Sequence, residues 1–364
     1  MKKVSVITLQ NIKNYGSMLQ AYATQEILVN QGLDVEIVDY TRPAAKFWNH
    51  ILGYSANDNV ILRLIKTAIL LPTEIRYALL WKSFKAKHLK SSVNSYSSNE
   101  ELKKNPPKAD IYCSGSDQVW NSGWNGGILK ELFLGFVPKG KKKYALASSI
   151  GMSKFDDSEK KDIKNLLDDF NAISVREISG LKIIEELGVK NAVSVIDPTL
   201  TVDTKFWNKL ATSKKRNKPY ILIYQLGKDP KVDEYAKHME KKTNCEVVRI
   251  CIRYDYVLRY GKPIMIPSFE QFLTLFANAE YVITDSFHAT CFSINYNRKF
   301  WCLLPDMYQG RIVDLLTVVD EKQRIVPLDY SQLDVTMNVN YLHVNKIISD
   351  LRNKTLSFYH QLSE

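Results

Sequence analysis

The sequence predicts two α/β domains built on parallel sheets, and three observations predict it. At 364 residues the chain exceeds what one hydrophobic core usually supports. Short apolar runs rich in β-formers alternate with segments of helical periodicity along most of its length. Clusters of polar residues fall at the junctions where strand-like runs give way to helical ones, the edge at which parallel α/β sheets place ligands. A hydrophobic share of 45% and a charged share of 24% match an ordinary globular composition and exclude a disordered or low-complexity chain.

Val4 to Leu9 reads as the first strand, and the apolar positions Met18, Leu19, Ala21, Tyr22, Ile27 and Leu28 as the helix after it. Gly32 stops that helix, and Val35 to Val38 forms the next strand, completing a βαβ opening. From about Thr41 to Lys104 an insertion rich in Trp, Tyr, Lys and Leu carries a helical pattern. Strands then follow at Ala109 to Cys113, Tyr144 to Ala147, Ala172 to Val175 and Ser194 to Ile196, with helices at Ser158 to Phe170 and Ile178 to Leu187. The polar and basic stretch between Pro198 and Pro219 reads as a linker. Beyond it, strands at Tyr220 to Gln225, Glu246 to Cys251, Tyr281 to Thr284 and Phe300 to Leu304 alternate with helices at Pro230 to Lys242, Ser268 to Ala279, Ser286 to Tyr296 and Arg311 to Val319. A final helical segment covers Tyr341 to Gln361. The expected division is therefore 1–210 with the insertion at about 41–104, a smaller Rossmann-like domain at 211–335, and a helix at 336–364 crossing back to the first domain.

A formal net charge of +11 leaves nucleic acid, an anionic membrane surface and phosphorylated small molecules as candidate partners. The densest basic stretches, Lys139 with Lys141 to Lys143 and Lys214 to Lys218, lack the interleaved aromatics of nucleic-acid grooves, so nucleic acid is not expected. They read first as solvated loops and second as attraction to a membrane surface. Five cysteines, Cys113, Cys245, Cys251, Cys291 and Cys302, have no Cys-x-x-Cys spacing and sit in apolar segments, which fits reduced thiols and a cytoplasmic location. The N-terminal apolar run is too short for a signal sequence, and Ile61 to Leu71 is interrupted by Arg63 and Lys66 and followed by Pro72, which reads as an amphipathic helix and not a spanning one. His50, His88, His238, His343 and His360 form no cluster with metal-ligand spacing, so no metal is expected.

Three strand-to-helix junctions carry the candidate chemistry. In the first, Asn14, Tyr15, Gly16 and Ser17 precede a helix start whose amides and dipole favour an anion, with Ser17 as its N-cap; a capped turn packed on the sheet is the plainer alternative. It has neither the dinucleotide nor the P-loop glycine pattern. In the second, Ser114, Gly115, Ser116, Asp117, Gln118, Trp120 and Asn121 follow a strand, and Asp117 suits a base or an orienter of a sugar hydroxyl. The alternative is a helix cap with Trp120 in the core. In the third, Asp285, Ser286, Phe287, His288 and Thr290 put a histidine in the first helical turn, where it can bind phosphate or donate a proton, or serve only in packing. Arg176, at another strand end, suits bidentate contact with carboxylate or phosphate, or a surface pair with Glu177 or Glu185.

Taken in order, Asn14-Tyr15-Gly16-Ser17 with Gln20-Ala21-Tyr22-Ala23, Gly115 to Asn121, Ser174-Val175-Arg176-Glu177, Asp197-Pro198-Thr199 and Thr284 to Thr290 resemble the polysaccharide pyruvyl transferase family, from Val4 to about Leu304. The resemblance implies a fold similar to the GT-B glycosyltransferases, two Rossmann-like domains facing a central cleft. It also implies phosphoenolpyruvate as donor, no cofactor beyond it, and transfer of the pyruvyl group as a ketal across two hydroxyls of a sugar. It places His288 and Arg176 at the donor site; the chemistry of ketal formation then expects His288 as acid or phosphate ligand, Arg176 and the amides near Ser286 as anion cradle, and Asp117 as base or acceptor orienter. Many members carry an arginine directly before the aromatic-His pair, where this chain has Ser286, and a Lys or Arg elsewhere, including Arg311 or Arg298, can stand in for it. The acceptor expected is a sugar or oligosaccharide, free or carried on a polyprenyl diphosphate, with capsule or exopolysaccharide synthesis as the setting and the inner membrane face as a peripheral location. The rivals are a GT-B glycosyltransferase using a nucleotide sugar and a non-enzymatic binding protein. No glutamate-bearing ribose-binding segment supports the first, and the polar strand-end residues argue against the second.

Overall fold

A computed structural model describes all residues except 48, 50–58, 213–215 and 332, so His50, Lys214 and Lys215 lie outside the described residues. The chain divides into two compact units. Unit 1 comprises Met1–Lys46, Ser83–Val202 and Ser349–Glu364; unit 2 comprises Phe47–Lys82 and Asp203–Ile348.

In chain order the first elements are β1 (Lys3–Ile7), α1 (Tyr15–Asn30), β2 (Asp34–Tyr40), α2 (Val60–His88), β3 (Ser91–Tyr96), α3 (Asn99–Lys104), β4 (Ile111–Ser114), β5 (Lys142–Ser148), α4 (Asp157–Leu167), β6 (Ala172–Val175), α5 (Ile178–Glu186) and β7 (Ala192–Ser194). The seven strands form one sheet in the order β3-β2-β1-β4-β5-β6-β7, parallel throughout. Strand order reverses between β1 and β4, which pair from Val4–Ile111 to Ile7–Ser114. Loops leaving the carboxyl ends of these two strands are pushed apart by their helices, and that opening is where such sheets admit ligands. Buried rows on both faces of the sheet make the strands read as continuous apolar runs. Trp120, Phe133, Ile7 and Val175 belong to one core of this unit.

Unit 2 contains β8 (Tyr220–Tyr224), α6 (Lys231–Thr243), β9 (Glu246–Cys251), β10 (Lys262–Met265), α7 (Phe269–Asn278), β11 (Tyr281–Thr284), α8 (Phe287–Asn295), β12 (Lys299–Cys302), α9 (Gly310–Val318) and the first turns of α10 (Tyr341–His360). Its five strands run parallel in the order β10-β9-β8-β11-β12, so the reversal falls between β8 and β11. The helix α7 opens with a reciprocal capping box between Ser268 and Gln271, as its Ser-x-x-Gln spacing dictates. Trp301, fully buried on β12, donates its indole N–H to the Val335 carbonyl at 3.2 Å, which pins the return segment onto the sheet. The last turns of α10 group with unit 1, where Arg352 Nε donates to the Leu200 carbonyl at 2.7 Å.

Several expected elements differ. The helical reading of the insertion fails at β3, whose sequence SSVNSY has no apolar alternation because it is an exposed edge strand. The other missed strand, β10, is also an edge, and it holds Pro263 where a central strand could not. The strand expected at Ser194 to Ile196 ends at Ser194. Within the segment read as a linker, Pro198–Thr201 and Thr204–Asn208 form short helices, the first capped by Asp197 with Pro198 at its opening position. The cap of α1 is Asn14, whose side chain accepts from Gly16 N at 2.9 Å, so Ser17 lies inside the helix and its hydroxyl is released for other work.

All five cysteines are free thiols and all are buried. Burial pushes the Cys251 thiol up to about 11 and the Cys302 thiol up to about 12, far from the thiolate that alkylating reagents need. The native protein should therefore resist iodoacetamide at neutral pH, and five carbamidomethyl groups should appear only in denaturant. Stoichiometric labelling of the native state, read by mass spectrometry, would contradict these placements.

Candidate active-site residues

In unit 1 the segments after β4, β6 and β7 meet around one cation. The Arg176 side chain, with no exposed surface, has Nη1 at 2.8 Å from Asp197 Oδ2, Nη2 at 3.6 Å from Asp117 Oδ1 and Nε at 3.7 Å from Glu177 Oε2. Burial pulls its pKa down, but the three carboxylates outweigh that and hold it above its ordinary value. Each carboxylate has further donors. Asp197 accepts from Ser116 Oγ at 2.9 Å and from Thr199 N at 2.9 Å. Glu177 accepts from Ser149 Oγ and the amides of Ile150 and Gly151 at 2.8 to 2.9 Å.

Asp117 is the most constrained member of the cluster. Its backbone takes the left-handed φ of 76°, a conformation that costs a non-glycine residue energy and persists only where its surroundings enforce it. Its carbonyl accepts from Val119 N at 2.8 Å and Ser149 N at 3.0 Å, and its Oδ1 accepts from Gln118 N at 2.9 Å. Ser17 Oγ, from the first turn of α1, donates to Asp117 Oδ2. Thr8 Oγ1, which receives a bond from Gln20 Nε2 at 2.9 Å, donates to the Ser116 carbonyl at 2.7 Å and ties the two loops together. A methyl at Gly115 would lie 2.9 Å from Thr8 Cβ, so the close approach of these loops requires glycine there.

The structure brings Ser17, Ser116, Asp117 and Arg176 into this one cluster and gives other expected site residues structural work. Trp120 is wholly buried, stacked on Phe133 at 5.3 Å with its indole N–H on the Leu132 carbonyl, so its place is in the core and not against a substrate. Ser114 Oγ donates to the same carbonyl at 2.7 Å. Asn121 caps the short helix Ser122–Asn125, Gln118 Oε1 accepts from Asn121 Nδ2 at 2.7 Å, and Tyr15 is buried under α1. Arg176 is enclosed by carboxylates, bonded to Asp197 and with Asp117 and Glu177 close by, so its charge is shared among the three.

In unit 2, Ser286 caps α8, its hydroxyl accepting from Ala289 N at 3.4 Å, and Phe287 and His288 occupy the first turn at the carboxyl end of β11. His288 is buried, with its ring 5.3 Å from that of Phe287. The Thr290 hydroxyl lies 3.0 Å from the Ser286 carbonyl within the helix and 3.2 Å from Cys302 Sγ on β12. Asp285 receives the amides of Leu226 and Gly227 at 2.7 Å each and so fixes the loop after β8. Burial raises the Asp285 carboxyl above its ordinary value although those amides lower it. Arg311 lies over the Phe287 ring at 5.7 Å, beside the motif, whereas Arg298 is engaged by the Tyr296 and Ala279 carbonyls. Sequence reasoning missed the neighbouring pair Arg249 and Arg259, which both donate to Gln225 Oε1, at 2.9 and 3.1 Å; no local pattern relates residues 24 and 34 positions apart. It also gave Asp197 no role, although Asp-Pro-Thr is a readable cap.

Removing Arg176 leaves three buried carboxylates without their common cation. Arg176→Ala should cost unit 1 roughly 3–5 kcal/mol in denaturant titrations, whereas Ser17→Ala should cost about 1 kcal/mol. A wild-type midpoint for Arg176→Ala would contradict a cluster held together by that charge.

No curated protein matches the chain. Among solved structures, a UDP-N-acetylglucosamine 2-epimerase from Listeria monocytogenes, described as putative, superposes with a TM-score of 0.51 at 10% identity, covering 99% of this chain and 90% of that one. The corresponding enzyme from Neisseria meningitidis gives 0.49 at 9% identity, covering 98% and 100%. The Listeria likeness carries the fold alone, and with the two parallel sheets it makes the architecture GT-B-like. The family model for polysaccharide pyruvyl transferase matches residues 14–306, well over half of the sequence and inclusive of all three strand-end motifs, and the chain accordingly belongs to the polysaccharide pyruvyl transferase family.

Proposed function

We propose that the protein moves the pyruvyl group of phosphoenolpyruvate onto two hydroxyls of a sugar as a cyclic ketal, in the synthesis of a capsular or extracellular polysaccharide. Family membership supports pyruvyl transfer to a sugar acceptor. The observation that carries the chemistry is the Asp117 carboxylate, held in a strained turn at a sheet's switch point by Ser17 and Arg176. An ordered carboxylate of this kind suits acceptance of a proton from an attacking hydroxyl.

The reaction begins with proton donation to the methylene carbon of the donor, a role assigned to His288, which leaves an oxocarbenium-like centre at the adjacent carbon. One sugar hydroxyl adds there and gives up its proton, a transfer for which a carboxylate such as Asp117 is the suited acceptor. The carbon–oxygen bond to phosphate breaks with its electron pair going to the phosphate, and the second hydroxyl closes the ring and releases its proton. Two hydroxyl protons are thus lost, one balanced by the new methyl group and one taken up with the phosphate. The helix-start amides after Ser286 favour the departing phosphate, and Arg311 supplies the cation that Ser286 does not. The acceptors this reading allows are a free oligosaccharide and one carried on a polyprenyl diphosphate.

Incubation with phosphoenolpyruvate, nucleotide sugars and a sugar acceptor, followed by mass spectrometry, tests the reading: phosphoenolpyruvate should be consumed with one phosphate released per ketal. Consumption of a nucleotide sugar instead would make the protein a glycosyltransferase, and no consumption would make it a binding protein. His288→Ala should lower transfer by about 100-fold or more while the fold persists. Arg311→Ala should raise the KM for phosphoenolpyruvate about tenfold, and Arg298→Ala should leave that KM unchanged.

A further inference from the structure

The first turns of α2 leave a row of large apolar side chains in solvent. Ile61 is 72% exposed, Leu64 66%, Ile65 51% and Leu79 61%, and Val60, Ile69 and Ile75 are exposed as well. At 100° per residue, Ile61, Ile65, Ala68, Pro72, Ile75 and Leu79 follow one another at spacings of four and three, which places them in one stripe along the helix. The stripe is about 27 Å long at 1.5 Å per residue. Scattered exposed apolar residues need no explanation, but a contiguous stripe of this length does.

Charge along the same segment selects what covers it. Between Val60 and Lys82 the cations are Arg63, Lys66, Arg76 and Lys82, and the one acid, Glu74, is buried at 1% exposure. Helical spacing puts Arg63 and Lys66 opposite the stripe near its start, and Arg76 and Lys82 on its two flanks farther along. A second copy of this helix would bring like charge against like charge. A protein partner would need an acidic, apolar groove matched to it, whereas an anionic lipid surface supplies both components everywhere. No helix among the described residues is long and apolar enough to cross a membrane, so the segment is suited to lying in the headgroup layer.

We propose that the Val60–Leu79 face of α2 is a membrane-docking surface for anionic bilayers, its apolar stripe entering the headgroup–acyl boundary with the flanking Arg76 and Lys82 on the side of the lipid phosphates. The inference rests on exposure and charge alone and stands whether or not the donor is phosphoenolpyruvate. Sedimentation of the full-length protein with vesicles tests it. Binding is expected to vesicles containing phosphatidylglycerol, to weaken as salt is raised, and to be much weaker with phosphatidylcholine alone. The double variant I61E/I65E, changed only at exposed positions and checked by circular dichroism and thermal midpoint, should bind anionic vesicles at least about tenfold more weakly. K82Q, at an exposed flanking position, should weaken binding to anionic vesicles only. Wild-type binding by I61E/I65E, no binding of the wild type to anionic vesicles, or a solution dimer that I61E/I65E abolishes would each overturn the proposal.

Discussion

One buried charge organises the site-bearing half of unit 1. The Arg176 guanidinium, without exposed surface, is bonded or close to carboxylates contributed by the loop after β4, by its own neighbour and by the Asp-Pro cap that follows β7. A guanidinium taken out of water is expensive, and it persists because three carboxylates offset its desolvation and share further donors from backbone amides and hydroxyls. The same arrangement sets the conformation of Asp117, whose positive φ would relax in a loop without such support. Fold and chemistry are therefore linked at this point: the sheet's switch between β1 and β4 brings the loops together, and the ion cluster fixes what they present.

Unit 2 solves the equivalent problem with a carboxylate and backbone amides. Asp285 ends β11 and holds the loop after β8 through two N–H groups, and a side chain at Gly227 would lie 2.9 Å from its Oδ2. That contact leaves the start of α8, with Phe287 and His288, in a fixed position at the second switch point. Neither unit uses a glycine-rich phosphate loop. Each uses a strand-end aspartate, and the two aspartates differ in their surroundings: one is surrounded by charge and hydroxyls, the other by amides.

The alternation of buried strands and periodic helices was readable because parallel strands covered on both faces leave uninterrupted apolar runs, as in Tyr220 to Tyr224 and Tyr281 to Thr284. Edge strands were not readable. SSVNSY at β3 and KPIM at β10 carry the polar residues and the proline that edges tolerate, and those residues erase the strand signal. The strand-end motifs were readable as places because polar residues crowd where an apolar run stops. Their division of labour was not. Trp120 and Asp117 are three positions apart in one polar segment, yet one is stacked in the core and the other sits in the ion cluster around Arg176. Arg176 looked like a free anion ligand because its partners Asp197 and Asp117 are distant in sequence, and burial is a property of the assembled sheet.

The account turns on whether the Asp117 carboxylate serves as the base toward the acceptor hydroxyl. The most direct measurement compares Asp117→Asn with the wild type in two assays, phosphoenolpyruvate affinity by calorimetry and ketal formation by mass spectrometry. The account predicts donor affinity within about twofold of wild type and ketal formation reduced by about 100-fold or more. Ketal formation at the wild-type rate by a folded Asp117→Asn protein would contradict it.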